Sequence, residues 1–301
     1  MTVKLQDFWA SHESDYVNGF HGDVTKALLI NLADRVTESD ETDTIFTSVY
    51  RSASIQERLL KKFSFKEKSS LNKLYAKEFS SNPIRNHFNI WYTAENIRPP
   101  LEMDFDAFLS FDLDRYDGSN FYLPLWFCRL GPTIDAANDM QYSLTKKRKI
   151  GNPRTLNFCI VASNPEQIRN YFISRLKNYT EVSIYGKLGT PVKNKNSTLQ
   201  NYNFNICFEN DLYPGYVTEK AVEAYMSGCI PVWRGDDAGE FLNNEAIINV
   251  TGLSVADAIE RVINVSADSN LVQYMREQPL LKKTIPIETI ISDLRNIYQS
   301  R

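Results

Sequence analysis

The run from Phe204 to Gly235, FNICFENDLYPGYVTEKAVEAYMSGCIPVWRG, constrains the fold more than any other part of the chain. Phe204, Ile206 and Phe208 alternate with smaller or polar residues and predict a strand, which Glu209-Asn210-Asp211 end. Pro214-Gly215 predict a turn, and Thr218 is placed to N-cap a helix running from Glu219 to about Ser227. Gly228 suits the left-handed position after a helix, and Cys229-Ile230-Pro231-Val232-Trp233 resumes an extended chain. Strand, helix and strand in this order predict an α/β sheet. Asn210, Tyr216, Glu219 and Lys220 then arrive where a strand ends and a helix begins, the crevice in which open α/β sheets bind nucleotides and sugars.

The rest of the chain repeats that grammar. Leu156 to Ala162 reads as an apolar strand, and Asn164-Pro165 as N-cap and first residue of a helix. Ile168, Tyr171, Phe172, Leu176 and Tyr179 fall at helical spacing and are expected to face the sheet. Val182 to Tyr185 predicts a further strand. In the first half, Val3 to Trp9, Ile45 to Val49, His87 to Thr93 and Ala107 to Phe111 predict strands, Tyr122 to Cys128 is another apolar run, and 55–79 is helix-prone and Lys-rich. Residues 256–262 and 287–297 have helical periodicity. The polar, basic stretch from Ser143 to Arg154 is the best linker. These readings predict two α/β lobes, residues 1–150 and 151–301, with the last helix free to pack back on the first lobe.

At 301 residues each lobe is large enough for its own core. A net charge of -3 argues against a dedicated nucleic-acid binder, which is usually basic. No run approaches the ~18 apolar residues of a membrane span, and the N-terminal residues lack a signal peptide's apolar stretch, so the expectation is a cytoplasmic protein, free or peripheral to the inner membrane. Cys128, Cys159, Cys207 and Cys229 are scattered without paired ligand spacing and read as reduced core thiols. His12, His21 and His87 form no ligand set.

FEN, YVTEK and the Pro-bearing strand at these separations closely resemble the signature of the α-1,3/4-fucosyltransferases, glycosyltransferase family 10, above all its bacterial members. The resemblance is strong over 204–235, moderate over 157–172 and 88–98, and weak before residue 80. It implies a GT-B fold of two Rossmann-like α/β/α domains facing a central cleft, an N-terminal acceptor-binding domain and a C-terminal GDP-fucose-binding domain. It further implies an inverting enzyme that moves L-fucose from GDP-β-L-fucose to a galactosyl-β-1,4 acceptor glycan such as N-acetyllactosamine or lactose. The expected hydroxyl is the 3-OH of GlcNAc or Glc, and the product an α-1,3-fucoside.

Within that resemblance, Glu95 in Trp91-Tyr92-Thr93-Ala94-Glu95-Asn96 matches the family's proposed general base, with Ala94 where Gly is usual. Arg169, in the first turn of the helix after Pro165, matches the diphosphate-binding Arg, and a helix start plus a fixed guanidinium suits an anion. Lys220 offers a compact charge for phosphate, and a Lys opposing the helix dipole hints at a bound anion. Glu219 is assigned to fucose hydroxyls, while Tyr216 and Asn210 line the donor site. Lys193-Asn194-Lys195-Asn196 resembles a segment of bacterial members and reads as a solvated loop. The resemblance implies no required cofactor, since two cations and a helix terminus can replace a metal; stimulation by a divalent ion stays open.

Other patterns carry less. Asp104-Phe105-Asp106 and Asp112-Leu113-Asp114 fit the DxD spacing of metal-dependent transferases but lie far in sequence from the donor signature. Tyr142 and Lys146 fit a dehydrogenase YxxxK spacing without the Gly-rich turn such enzymes need. The basic, Phe-interleaved segment 58–77 reads as a solvated helix face or a contact for membrane or anionic acceptor. Relatives often end in heptad repeats and a basic amphipathic tail; the residues up to Gln299-Ser300-Arg301 show neither. Two rivals remain: a nucleotide- or carbohydrate-binding module without turnover, and a GT-B transferase using another nucleotide sugar.

Overall fold

The computed structural model describes residues 2–6, 35–36, 43–47, 82–93, 96–131, 133–149, 151, 154–162 and 165–301. The helix-prone segment 55–79, the basic segment 58–77 and Glu95 lie outside the described residues. The chain forms two compact units: Met1–Asp139 with Ile285–Arg301, and Met140–Thr284.

The first unit is built on a parallel sheet of order β2-β1-β3-β4-β5-β6. Its strands are β1 (Thr2–Gln6), β2 (Arg35–Val36), β3 (Thr44–Thr47), β4 (Phe88–Tyr92), β5 (Ala107–Ser110) and β6 (Asn120–Tyr122). β3, β4 and β5 are buried along their whole length, as central parallel strands are when both faces are covered. Both acidic DxD-like stretches have structural partners here. Asp106 accepts from the Asn89 amide at 2.6 Å and pairs with Arg301 at 3.2 Å. The buried Asp112 accepts the Tyr116 hydroxyl. α1 (Ile134–Leu144) runs across the division between the units, and the chain ends in α7 (Ile287–Gln299), whose Tyr298 packs edge-on against Phe88 at 5.6 Å.

The second unit holds the strand-helix-strand segment from Phe204 to Gly235. Its parallel sheet has the order β11-β10-β9-β7-β8, from β7 (Leu156–Val161), β8 (Val182–Tyr185), β9 (Tyr202–Phe208), β10 (Ile230–Arg234) and β11 (Ile248–Asn249). Between them run α2 (Gln167–Leu176), α3 (Lys195–Leu199) and α4 (Glu219–Met226), followed by α5 (Val255–Ala267) and α6 (Ser269–Glu277). The chain steps from β7 outward to β8, then returns past β7 to β9 and continues the other way. That reversal puts a crevice between β7 and β9 at their C-terminal ends.

Strand alternation decides which side chains meet which helices. Phe158, Phe204, Ile206, Phe208, Ile230 and Val232 form one face, buried with Phe172, Ile173 and Leu176 of α2 and with Ala258, Ile259 and Val262 of α5. Phe158 stacks on Phe204 at 4.8 Å. On the other face, the Cys207 thiol donates to the Lys220 carbonyl of α4 at 3.3 Å. All four cysteines are buried and unbridged.

Two sequence expectations for α2 need correction. The helix is N-capped by Glu166, whose carboxylate accepts from the Ile168 and Arg169 amides at 3.0 and 2.7 Å; it does not start at Asn164-Pro165. The core stripe is therefore Arg169, Phe172, Ile173 and Leu176, at the i, i+3, i+4, i+7 spacing. Tyr171 falls off that stripe and Tyr179 lies beyond the helix end, leaving them 55% and 64% exposed.

Candidate donor-binding site at the C-terminal edge of the second sheet

β9 runs apolar to Phe208 and delivers Glu209 at its C-terminal end, where the side chain is wholly buried. A buried carboxylate is costly unless hydrogen-bonded and paired. Glu209 takes three donors from the start of α4: the Thr218 amide at 2.9 Å, the Thr218 hydroxyl at 2.7 Å and the Lys220 ammonium at 2.7 Å. Thr218 does occupy the N-cap position, but its hydroxyl serves Glu209 instead of the helix amides. Lys220 completes a small ring by donating to the same Thr218 oxygen at 2.9 Å.

Gly235 makes room for this arrangement. A Cβ there would lie 2.4 Å from the Trp233 ring and 2.9 Å from the Glu209 Cγ. The loop before α4 is tied to the same edge, with the Gly215 amide on the Asp236 carbonyl at 2.9 Å and Tyr216 bridged to Asp236. Gly215 takes φ +89°, a conformation that favours glycine.

The sequence-predicted residues fall as follows. Lys220 sits in the first turn of α4 on Glu209, with about a fifth of its side chain exposed. Burial pulls its pKa down, but the charges of Glu209 and Glu219 and the hydrogen bond to Glu209 outweigh burial and raise it above the ordinary lysine value. Arg169, in the first turn of α2, is 3% exposed and lies in the electrostatic field of Glu166 and Glu209. Burial lowers its pKa against those two carboxylates. The fold thus places Lys220 on Glu209 in the first turn of α4 and buries Arg169 in the first turn of α2. The amides of α2 expected to hold an anion already carry one, the carboxylate of Glu166. Glu219 is half-buried at the first position of α4, Asn210 is exposed beyond β9, and Tyr216 is buried beneath the loop.

Sequence reasoning missed two participants. Glu209 was legible as the end of a strand and as part of the FEN motif but was given no role, although an acid directly after an apolar run and nine residues before T-E-K is a signal that could have found one. Lys195 is not a solvated loop residue: it begins α3 and pairs with Glu223 of α4 at 2.5 Å, both side chains about three-quarters buried. Among the described residues no group of three or more His, Cys, Asp or Glu is arranged to hold a metal ion. Nor is any described helix long and apolar enough to cross a membrane.

Residues 151–277 match the family model described as glycosyltransferase family 10 (fucosyltransferase) C-term. The chain is 32% identical over 230 residues to alpha-(1,3)-fucosyltransferase FucT of Helicobacter pylori, covering 65% of this chain and 48% of that protein. It is 25% identical over 194 residues to the human 4-galactosyl-N-acetylglucosaminide 3-alpha-L-fucosyltransferase 9, covering 62% and 48%. The chain therefore spans about half the length of these relatives. Among solved structures, an alpha1,3-fucosyltransferase with GDP superposes with a TM-score of 0.71 at 21% identity, covering 99% of this chain and 90% of that one. The form with GDP-fucose gives 0.70 over the same coverage.

Proposed function

We propose that this protein, whose residues 151–277 match the family model of the C-terminal domain of glycosyltransferase family 10 in a chain of GT-B fold, is an inverting α-1,3-fucosyltransferase using GDP-β-L-fucose. The observation that carries the reading is Lys220 held on the buried Glu209 at the start of α4, beside the chain reversal between β7 and β9, with Arg169 in the first turn of α2. A lysine in the first turn of a helix opposes the helix dipole. Glu209 and Thr218 take two of the ammonium's hydrogen bonds, which leaves a third N–H to offer a second anion.

In this reading Lys220 and Arg169 bind the diphosphate, and the departing GDP takes the electron pair of the fucose C1–O bond. Positive charge fixed before the reaction stabilises the charge that develops on the leaving oxygen. The acceptor oxygen, the 3-OH of GlcNAc or Glc in a galactosyl-β-1,4 unit, forms the new bond to C1 from the opposite side. Glu95 takes its proton. Glu219 accepts hydrogen bonds from fucose hydroxyls, with Tyr216 and Asn210 lining the donor site. The two cations serve in place of a required metal ion. The acceptor is an N-acetyllactosamine- or lactose-type glycan, and its product a Lewis-type fucoside.

The test is release of GDP from GDP-fucose in the presence of N-acetyllactosamine. Acceptor-dependent release by the wild type, with Glu95→Gln abolishing transfer and retaining GDP affinity, is the expected result. Loss of GDP affinity in Glu95→Gln would contradict its role as base. Thermal stabilisation by UDP or CMP in preference to GDP would point to another sugar nucleotide.

A further inference from the structure

Thr218 forgoes the hydrogen bond that its position offers. A threonine at an N-cap ordinarily accepts from an amide two or three residues into its helix, and at the start of α4 no such bond forms. The side chain is committed instead to two charged groups. Its hydroxyl donates to Glu209 Oε2 at 2.7 Å and accepts from the Lys220 ammonium at 2.9 Å. A hydroxyl carries one proton, so with that proton on the carboxylate it presents Lys220 with a lone pair. Thr218 is itself fixed: it is buried, its amide donates to Glu209 Oε1 at 2.9 Å, and a β-branched side chain is restricted at χ1.

A lysine is a compact charge with three donors on a flexible four-carbon stem. An ammonium tied to Glu209 Oε2 alone, at 2.7 Å, could swing about that one oxygen. A second anchor on a different atom removes the freedom and sets the direction of the third N–H. We infer that Thr218 is a positioning residue for the donor's leaving group: Glu209 supplies the charge that balances Lys220, and the Thr218 hydroxyl aims the remaining N–H of Lys220 at the diphosphate. The inference rests on the reading of Lys220 as a diphosphate ligand. Thr218 touches no phosphate in this scheme and acts only through the ammonium.

The experiment measures initial rates of GDP release from GDP-fucose with N-acetyllactosamine for wild type, T218V, T218S, K220A and the double variant of T218V with K220A. Melting curves confirm folding. T218V keeps the side chain's shape and the amide bond to Glu209 but removes the hydroxyl. Its kcat is expected to fall about tenfold, the size of a hydrogen bond to a charged group, with the KM for N-acetyllactosamine unchanged. T218S should recover most of the loss. In the K220A background T218V should cost nothing further, because the hydroxyl works through the ammonium that K220A removes. An unchanged kcat in T218V overturns the proposal, and so does a T218S as slow as T218V. The same loss from T218V in both backgrounds also overturns it, since a purely structural Thr218 would act independently of Lys220. A K220A with wild-type kcat would sink the reading of Lys220 and this inference together, whereas an impaired K220A beside an intact T218V sinks the inference alone. Should T218V fail to fold, T218A replaces it in both backgrounds and is judged by the same outcomes.

Discussion

The two edges of the second sheet both bury basic side chains, and they neutralise them differently. At the N-terminal edge, Arg154 donates to the carbonyls of Leu199, Tyr202 and Ser227 at 3.2, 2.7 and 2.6 Å. Arg148 donates to the Tyr225 and Arg276 carbonyls and lies over the Tyr225 ring at 3.3 Å. Those carbonyls belong to the C-terminal turns of α3, α4 and α6 and to the start of β9, where orphan acceptors and the negative dipole end favour cations. Gly228, at φ +82°, passes so close to Arg154 that a Cβ would come within 2.3 Å of its Nη2. Burial lowers the Arg148 pKa to about 10, with Arg276 and Arg154 pushing the same way against Tyr225.

At the C-terminal edge Lys220 stands at a helix N-terminus, where the dipole repels it. There it is held by a carboxylate, Glu209. A cation at a helix C-terminus needs no further explanation than the fold. A cation at a helix N-terminus, balanced by an acid that is itself buried at a cost, is what the proposed donor site predicts for that edge.

The comparison can be broken from either end. The largest effect is expected at the structural edge: Arg154→Leu strands three carbonyls, and at about 1–3 kcal/mol per unpaired buried group it should lower unfolding stability by roughly 3 kcal/mol or more. Urea melts measure this, and GDP affinity in the folded protein should be unchanged. A weakened GDP affinity there would erase the distinction between the edges. Next comes Lys220→Ala, expected to lower kcat on the order of 10²–10³, read by initial rates on GDP-fucose. A variant with wild-type kcat would return Lys220 to a purely structural role.

The smallest effect concerns pH. Lys195 and Lys220 both have folded pKa values raised above the unfolded value of about 10.5. Their ion-pair contribution is therefore fully present below that pH and is lost only as pH rises through the still higher folded values. GDP affinity measured by titration calorimetry should accordingly show no lysine titration between pH 7 and pH 10. A drop beginning near pH 9 in wild type and absent in Lys220→Arg would show that Glu209 does not hold the charge as described.

The signature strand, helix and strand are legible in the sequence because each signal is local. Alternation marks β9, the run from Thr218 to Met226 marks α4, and Gly228 takes the positive φ expected after a helix. β4 and β5 are visible for the same reason, as short apolar runs bounded by polar residues. The start of α2 is not, because Glu166 caps only by folding its carboxylate back onto two amides, at a position where Asn is the more common cap. The setting of Lys195 is hidden because its partner lies 28 residues away on another helix.

By itself the sequence determined the order of elements, the parallel α/β class and the helix start that carries Thr218, Glu219 and Lys220, since periodicity and glycine conformation act over a few residues. Only the tertiary structure decided that Glu209 would be fully buried, that Thr218 would turn its hydroxyl to it, and that Lys220 would pair with it. Burial and electrostatic fields depend on which elements pack together, and no local pattern encodes that.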